Sequence, residues 1–180
     1  MIGLLSFSFI TGLLYGRFSR PKAAIRFSEN FILRHFNQGN AIMFRLINRR
    51  KTLMIEPEIT VTLSINEKEK SGMYKRNFYT LKLERNKIMY LPTIWTVVHE
   101  IDSESPLQKY NAVEIKSLDA KLYILLKYHE ESFGQTVYQA TSYDFSELKL
   151  HAKYKPSIYF DSEGFTILDH EKLNDVEELV

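Results

Sequence analysis

Between Ile59 and Asn66 the chain alternates with a period of two, apolar at Ile59, Val61, Leu63 and Ile65 and polar at Thr60, Thr62, Ser64 and Asn66. A helix would scatter those four apolar groups, whereas a strand puts them all on one face, so this stretch is a strand with one buried side. Tyr79, Leu81 and Leu83 alternate with Thr80, Lys82 and Glu84 in the same way and predict a second strand. Residues 41–47 and 122–126 are apolar enough to be strands covered on both faces. Shorter runs predict strands at 24–27, 31–34, 94–99, 135–141, 148–154 and 165–168. Turn-forming clusters at 37–40, 70–72, 102–103 and 161–164 separate them. A short helix is expected over 113–120, with another fraying toward the acidic end. Many short strands with regular turns specify an all-β sandwich.

The opening is different. Met1 to Gly16 carries no charge and is rich in Ile, Leu and Phe, but it falls short of the roughly 20 apolar residues of a spanning helix. Arg17, Arg20 and Lys22 follow the apolar run, which argues against a secretory signal and for the cytoplasmic flank of a membrane helix. A buried first element of a soluble domain is the other reading. Pro21 stops any helix near Arg20. The net charge of +2 conceals an asymmetry, because the basic residues gather between Arg17 and Lys51 and the acidic ones after Asp161. The absence of cysteine removes any disulfide framework, thiolate nucleophile or thiolate metal site.

Three runs carry a resemblance: Val97-Val98-His99-Glu100-Ile101-Asp102-Ser103-Glu104-Ser105-Pro106-Leu107, Gly16-Arg17-Phe18-Ser19-Arg20-Pro21-Lys22-Ala23, and Met43-Phe44-Arg45-Leu46-Ile47-Asn48-Arg49-Arg50. In this order they resemble the inward-rectifier potassium channels, especially the bacterial members, from about Phe7 to about Asp169. No TVGYG-like filter is present. The resemblance implies an immunoglobulin-like β-sandwich in the cytoplasm, attached to the cell membrane by the end of a second transmembrane helix. Its divisions would be 1–16 for the partial helix, 17–24 for a basic linker at the membrane surface and 25–180 for the sandwich with its acidic tail. It further implies a homotetramer, potassium as the permeant ion, anionic lipid at the linker, and no cofactor, resident metal or nucleic acid.

The site residues follow from the same likeness. Arg17, Arg20 and Lys22 match the lipid-facing basic positions, each worth about 1 kcal/mol near an anionic leaflet, or they are plain topogenic charge. Glu56 and Glu131 match acidic positions on the ion pathway, where four copies would concentrate cations and crowded carboxylates would raise one another's pKa; exposed hairpin carboxylates are the other reading. Tyr128, His129 and Glu130 match the constriction loop, with Tyr128 where the family usually has glycine. Arg45, Asn48 and Arg50 match a loop near the subunit interface and membrane. His99, Asp102, Ser105 and Pro106 form a turn expected to hold a subunit contact, with Ile101 and Leu107 buried.

Other chemistry finds little support. The five histidines are scattered, and four residues after His99 stands Ser103, so no HExxH zinc motif exists. There is no GxSxG elbow, phosphate-cradling glycine loop or dinucleotide fingerprint, and the chain reads as a non-enzyme. Hydrolysis by Glu130 or Glu131 with His129 rests on adjacency alone. A membrane-attached adaptor that binds another protein through its strands is the alternative function.

Overall fold

The structure, a computed structural model, describes residues 2–18, 23–50, 52–70, 72–91 and 93–179. It opens with helix α1 (Ile2–Phe18), whose apolar residues surround the axis rather than forming one stripe. Phe7, Phe9, Ile10, Leu13 and Leu14 are all exposed. At about 1.5 Å per residue α1 reaches about 25 Å, under the ~30 Å of a bilayer core. No helix among the described residues is long and apolar enough to cross a membrane.

The remainder is almost entirely strands. In chain order they are β1 (Ile25–Phe27), β2 (Ile32–Phe36), β3 (Gly39–Asn48), β4 (Met54–Lys68), β5 (Tyr74–Thr80) and β6 (Ile94–Ile101), then helix α2 (Ala112–Ser117). After it come β7 (Ala120–Glu130), β8 (Gln135–Asp144), β9 (Lys149–Leu150), β10 (Ala152–Tyr154), β11 (Ile158–Phe160), β12 (Thr166–Leu168) and β13 (Val176–Glu178). One sheet has the order β1-β3-β2-β9 with β6 also paired to β3; the other has the order β5-β4-β7-β8. They make the expected all-β sandwich. Its core is the in-facing set Ile59, Val61, Leu63 and Ile65 of β4 and Leu122, Ile124 and Leu126 of β7, packed on Leu33, Ile42, Phe44 and Leu46. Each such side chain stabilises the fold by about 1.5–3 kcal/mol on burial. Aromatic rings knit one edge: Phe31 stacks on Tyr143 at 5.1 Å, and Phe44 meets the same ring at 5.6 Å. The Tyr143 hydroxyl donates to the Ser28 carbonyl at 2.6 Å, which satisfies its buried polar end.

Several expectations shift. The second alternating stretch is strand only as far as Thr80, because β5 starts earlier, at Tyr74, and pairs with β4 in a hairpin ending at Lys68↔Tyr74. Residues 122–126 are not covered on both faces: burial alternates along β7, leaving Tyr123 and Leu125 exposed. The run at 148–154 breaks into β9 and β10 because His151 sits at φ 50°, a left-handed conformation that turns the strand. Leu118, extended as C-cap, ends α2 two residues before Ala120 opens β7. A capping box between Asn111 and Glu114 begins that helix. The acidic end is a short 3₁₀ turn (His170–Leu173) followed by β13 rather than a fraying α-helix. β13 pairs with β10, and Ala152, Tyr154 and Val176 cover Ile32, Ala41, Met43 and Val98 on the outer side of the first sheet. That second apolar layer was not legible in the sequence.

A carboxylate latch ties the β4–β5 hairpin to the segment before α2. Glu67 accepts from the Lys109 ammonium, from the Asn77 amide at 2.7 Å and from the Tyr79 hydroxyl at 2.8 Å. The hydrogen bond from Lys109 leads in holding its carboxyl at about 2, with burial opposing. A depressed carboxyl pKa contributes stability that is present above the unfolded value and lost as pH falls toward the folded one. Denaturant unfolding between pH 7 and pH 2 should therefore show the wild type losing up to about 3 kcal/mol relative to Glu67→Gln below about pH 4.5. Parallel pH profiles for the two proteins would exclude the latch.

Candidate functional site

The side chains nominated by the sequence fall into three separate places. The first lies where the chain enters the sandwich. Asn48, at the end of β3, donates from its amide to the Thr52 carbonyl at 2.7 Å and accepts from the Arg50 N–H at 2.9 Å, so it shapes the loop into β4. The Arg50 guanidinium lies 5.2 Å above the Phe133 ring and 3.9 Å from a Glu130 carboxylate oxygen, which also accepts from the Thr52 hydroxyl at 2.8 Å. Glu130 is only 1 % exposed. It therefore clamps the β7–β8 hairpin to the β3–β4 loop. Ile25 exchanges two hydrogen bonds with the Gln139 amide, at 3.2 and 2.8 Å, and the Ala24 N–H donates to the Tyr128 hydroxyl at 3.4 Å. The start of the sandwich is thus bonded to β7 and β8 directly.

Tyr128, matched to the constriction loop, lies on the inward phase of β7. Tyr128 is 2 % exposed and belongs to the core, where burial raises its phenol pKa. His129, next along the strand, is exposed on the opposite face, and Glu130 turns inward again. Adjacent strand residues point to opposite sides. His129 and Glu130 consequently cannot work as a catalytic pair. Glu131 is exposed in the hairpin turn. Arg45 belongs elsewhere: its guanidinium donates to Thr96 at 3.3 Å and to the Lys155 carbonyl at 2.8 Å, and stacks on Tyr154 at 4.5 Å. Burial lowers its pKa.

The second place is a charged cleft of about 200 Å³ at the end of the β4–β7 pair, lined by Glu56, Glu58, Lys87, Lys127, Tyr128, His129 and Thr136. Register slips by a bulge between Ile55 and Glu58, and Glu56 takes φ 49° there. Glu56, matched to an ion-pathway position, does not stand alone. Glu56 pairs with Lys87 at 3.0 Å and Glu58 with Lys127 at 2.9 Å, so each carboxylate has its own ammonium. Glu58 is the main cause of a raised Lys127 pKa. The two lysines escaped the sequence reading. Lys127 faces Glu58 only through the β4–β7 register, and Lys87 reaches Glu56 from an irregular segment.

The third place is the turn after β6. His99 is buried, with Nδ1 2.7 Å from the Lys82 carbonyl and Nε2 2.9 Å from the Ser105 hydroxyl. A carbonyl only accepts, so Nδ1 carries the proton, and Nε2 accepts from Ser105, whose oxygen accepts in turn from the Leu107 N–H at 3.2 Å. Asp102 accepts from the Glu104 N–H at 2.9 Å, Pro106 is half-buried, Leu107 is fully buried and Ile101 packs against the core. His99 and Ser105 hold the turn through hydrogen bonds within the chain. Arg20 and Lys22 lie outside the described residues, as does the Arg17 side chain. No cluster of three or more His, Cys, Asp or Glu able to hold a metal occurs among the described residues.

Burial lowers the His99 pKa, against a smaller upward pull from the Lys82 carbonyl and Asp102. The unfolded chain takes up the proton first, so stability falls as pH drops below the unfolded value near ~6.5. The imidazole resonances of His99 should titrate below that value, and a midpoint above it would contradict the neutral tautomer. Neighbouring carboxylates also part company. Glu130→Ala should cost about 3 kcal/mol in urea unfolding by breaking a buried clamp, whereas Glu131→Ala should stay within about 0.5 kcal/mol. Equal costs would remove the clamp.

Residues 25–180 match the family described as inward rectifier potassium channel C-terminal domain. The inward rectifier potassium channel Kirbac3.1 of Paramagnetospirillum magnetotacticum is 30 % identical over 148 residues, covering 82 % of this chain and 50 % of that protein. Inward rectifier potassium channel 4 of Homo sapiens and that of Mesocricetus auratus are each 24 % identical over 177 residues, covering 93 % of this chain and 39 % of theirs. The chain thus spans half or less of the length of these relatives, which are channels rather than enzymes.

Proposed function

Because the chain belongs to the inward rectifier potassium channel family through its C-terminal domain, we propose that it forms the cytoplasmic vestibule of a tetrameric potassium channel and sets the state of the pore above it. Residues 1–16 are the end of the second membrane helix, 17–24 the basic linker on the bilayer surface, and 25–180 the cytoplasmic domain. Arg17, Arg20 and Lys22 draw the linker to anionic lipid, adding roughly 3 kcal/mol of screened attraction in total. Potassium passes down the axis between four copies, past the Glu56 cleft and the Glu131 hairpin.

One observation carries the mechanism. Ala24 and Ile25 are hydrogen-bonded to Tyr128 and Gln139, which flank the β7–β8 hairpin. A rotation or lift of α1 and its linker pulls on that hairpin, and the Arg50–Glu130 clamp carries the displacement to the β3–β4 loop. Linker position and hairpin position are thereby one coordinate, the requirement for a two-state coupling element.

The test is to purify the native polypeptide from membranes of the source cell with an antibody against the sandwich, and to measure potassium uptake into liposomes that contain it. Potassium uptake by a species heavier than 21.2 kDa is expected. A species of 21.2 kDa that conducts nothing would replace this reading with the membrane-attached adaptor.

A further inference from the structure

The outer layer parts from the first sheet at one residue. Lys149 and Leu150 of β9 lie in that sheet beside Ile32 and Leu33 of β2, whereas Ala152, Lys153 and Tyr154 of β10 pair with β13 above it. The chain crosses between the two at His151, whose left-handed φ of 50° turns it, and the Leu179 N–H donates to the His151 carbonyl at 2.6 Å. Helix α2 packs against β9. Between these elements lies a cavity of about 400 Å³ lined by Lys116, Lys149, Leu150, Ala152, Val176 and Glu178. Small-molecule pockets run from about 300 to 1,000 Å³.

Its floor is apolar and its mouth is charged. Ala152 is buried and Leu150 and Val176 are half-buried, while Lys116, Lys149 and Glu178 are exposed. Val176 and Glu178 are two apart on one strand, so they share the face of β13 that turns toward the first sheet. Glu177, on the other face, pairs with Lys153 at 3.8 Å. The cavity side is different. Among the described residues, Lys116, Lys149 and Glu178 have no ion-pair or side-chain hydrogen-bond partner. Two ammoniums and one carboxylate thus stand around an apolar floor, too far apart to neutralise one another.

We propose that this cavity binds a free α-amino acid with an apolar side chain. The ligand carboxylate meets the Lys116 and Lys149 ammoniums, its ammonium meets Glu178, and its side chain lies on Leu150, Ala152 and Val176. The charge pattern selects this class. A simple carboxylate would sit beside Glu178 with like charge, and a simple amine would sit beside two lysines. A zwitterion satisfies both signs at once, and an apolar side chain takes Leu150 and Val176 out of water. The bound ligand bridges α2, β9 and β13, so it fastens the outer layer to the sheet beneath. The site lies within one chain and is independent of the channel reading.

The full chain in detergent can be dialysed to equilibrium against isotope-labelled L-leucine. Saturable binding with a dissociation constant below about 10 mM is expected. In competition, isocaproate, which lacks the amino group, and isoamylamine, which lacks the carboxylate, should each bind about tenfold more weakly than leucine. Lys149→Met should weaken leucine binding by about five- to tenfold. Glu178→Gln should weaken it too and erase its advantage over isocaproate. Both side chains are exposed, so neither substitution threatens the fold. Absence of saturable binding in that range, a wild type that prefers isocaproate, or a leucine affinity unchanged in either variant would each overturn the proposal. None of these outcomes bears on potassium uptake.

Discussion

Everything else in the sandwich is hung on the antiparallel pairing of β4 with β7. From Glu58↔Lys127 to Ile65↔Ala120 the register is unbroken, and because side chains alternate, one residue of slippage would turn every core group to the outside. That register aims Ile59, Val61, Leu63 and Ile65 inward with Leu122, Ile124 and Leu126. It also sets Glu58 opposite Lys127 and brings Glu130 to the same end as Met54. The core and the charged cleft are two consequences of a single alignment. The bulge between Ile55 and Glu58 is where the alignment is released.

At that end the strands are tied to the segments on either side of them. The β7–β8 hairpin is bonded to the entering chain through Gln139 and Tyr128, and to the β3–β4 loop through Glu130, Thr52 and Arg50. Tyr128 is held in the core, whereas His129 and Glu131 on either side of Glu130 face water. A segment anchored at alternate residues keeps a defined position. Lys87 and Lys127 meanwhile neutralise the carboxylates beside it. A wall of ion pairs attracts multivalent cations less than a bare acidic ring of the same outline.

How much of this the residues disclose depends on the range of the interaction. The alternation at 59–66 announces its strand because the period is local, and the Asn111–Glu114 capping box is local too. The continuous run 122–126 misleads for an equally definite reason: apolarity along a strand does not say whether the fold covers one of its faces or both, and here Tyr123 and Leu125 stay exposed. The neighbours of Tyr128 resemble a constriction loop, and only the inward phase of β7 shows that its ring is buried in the core. His99 and Ser105 announce a turn by their residue types, but which groups they bond, the Lys82 carbonyl and the Leu107 N–H, depends on segments brought together by folding.

The sequence by itself determined the class of fold, the change of character after the apolar opening, and the kinship with inward rectifiers, since periodicity and motif order are properties of neighbours along the chain. Tertiary structure decided what depends on distant partners. It matched Lys127 with Glu58 and Lys109 with Glu67, buried Glu130 against Arg50, and covered one sheet while leaving the other open. Those outcomes turn on strand register and on the left-handed residues Glu56 and His151. Such residues redirect the chain without leaving a pattern that can be read locally.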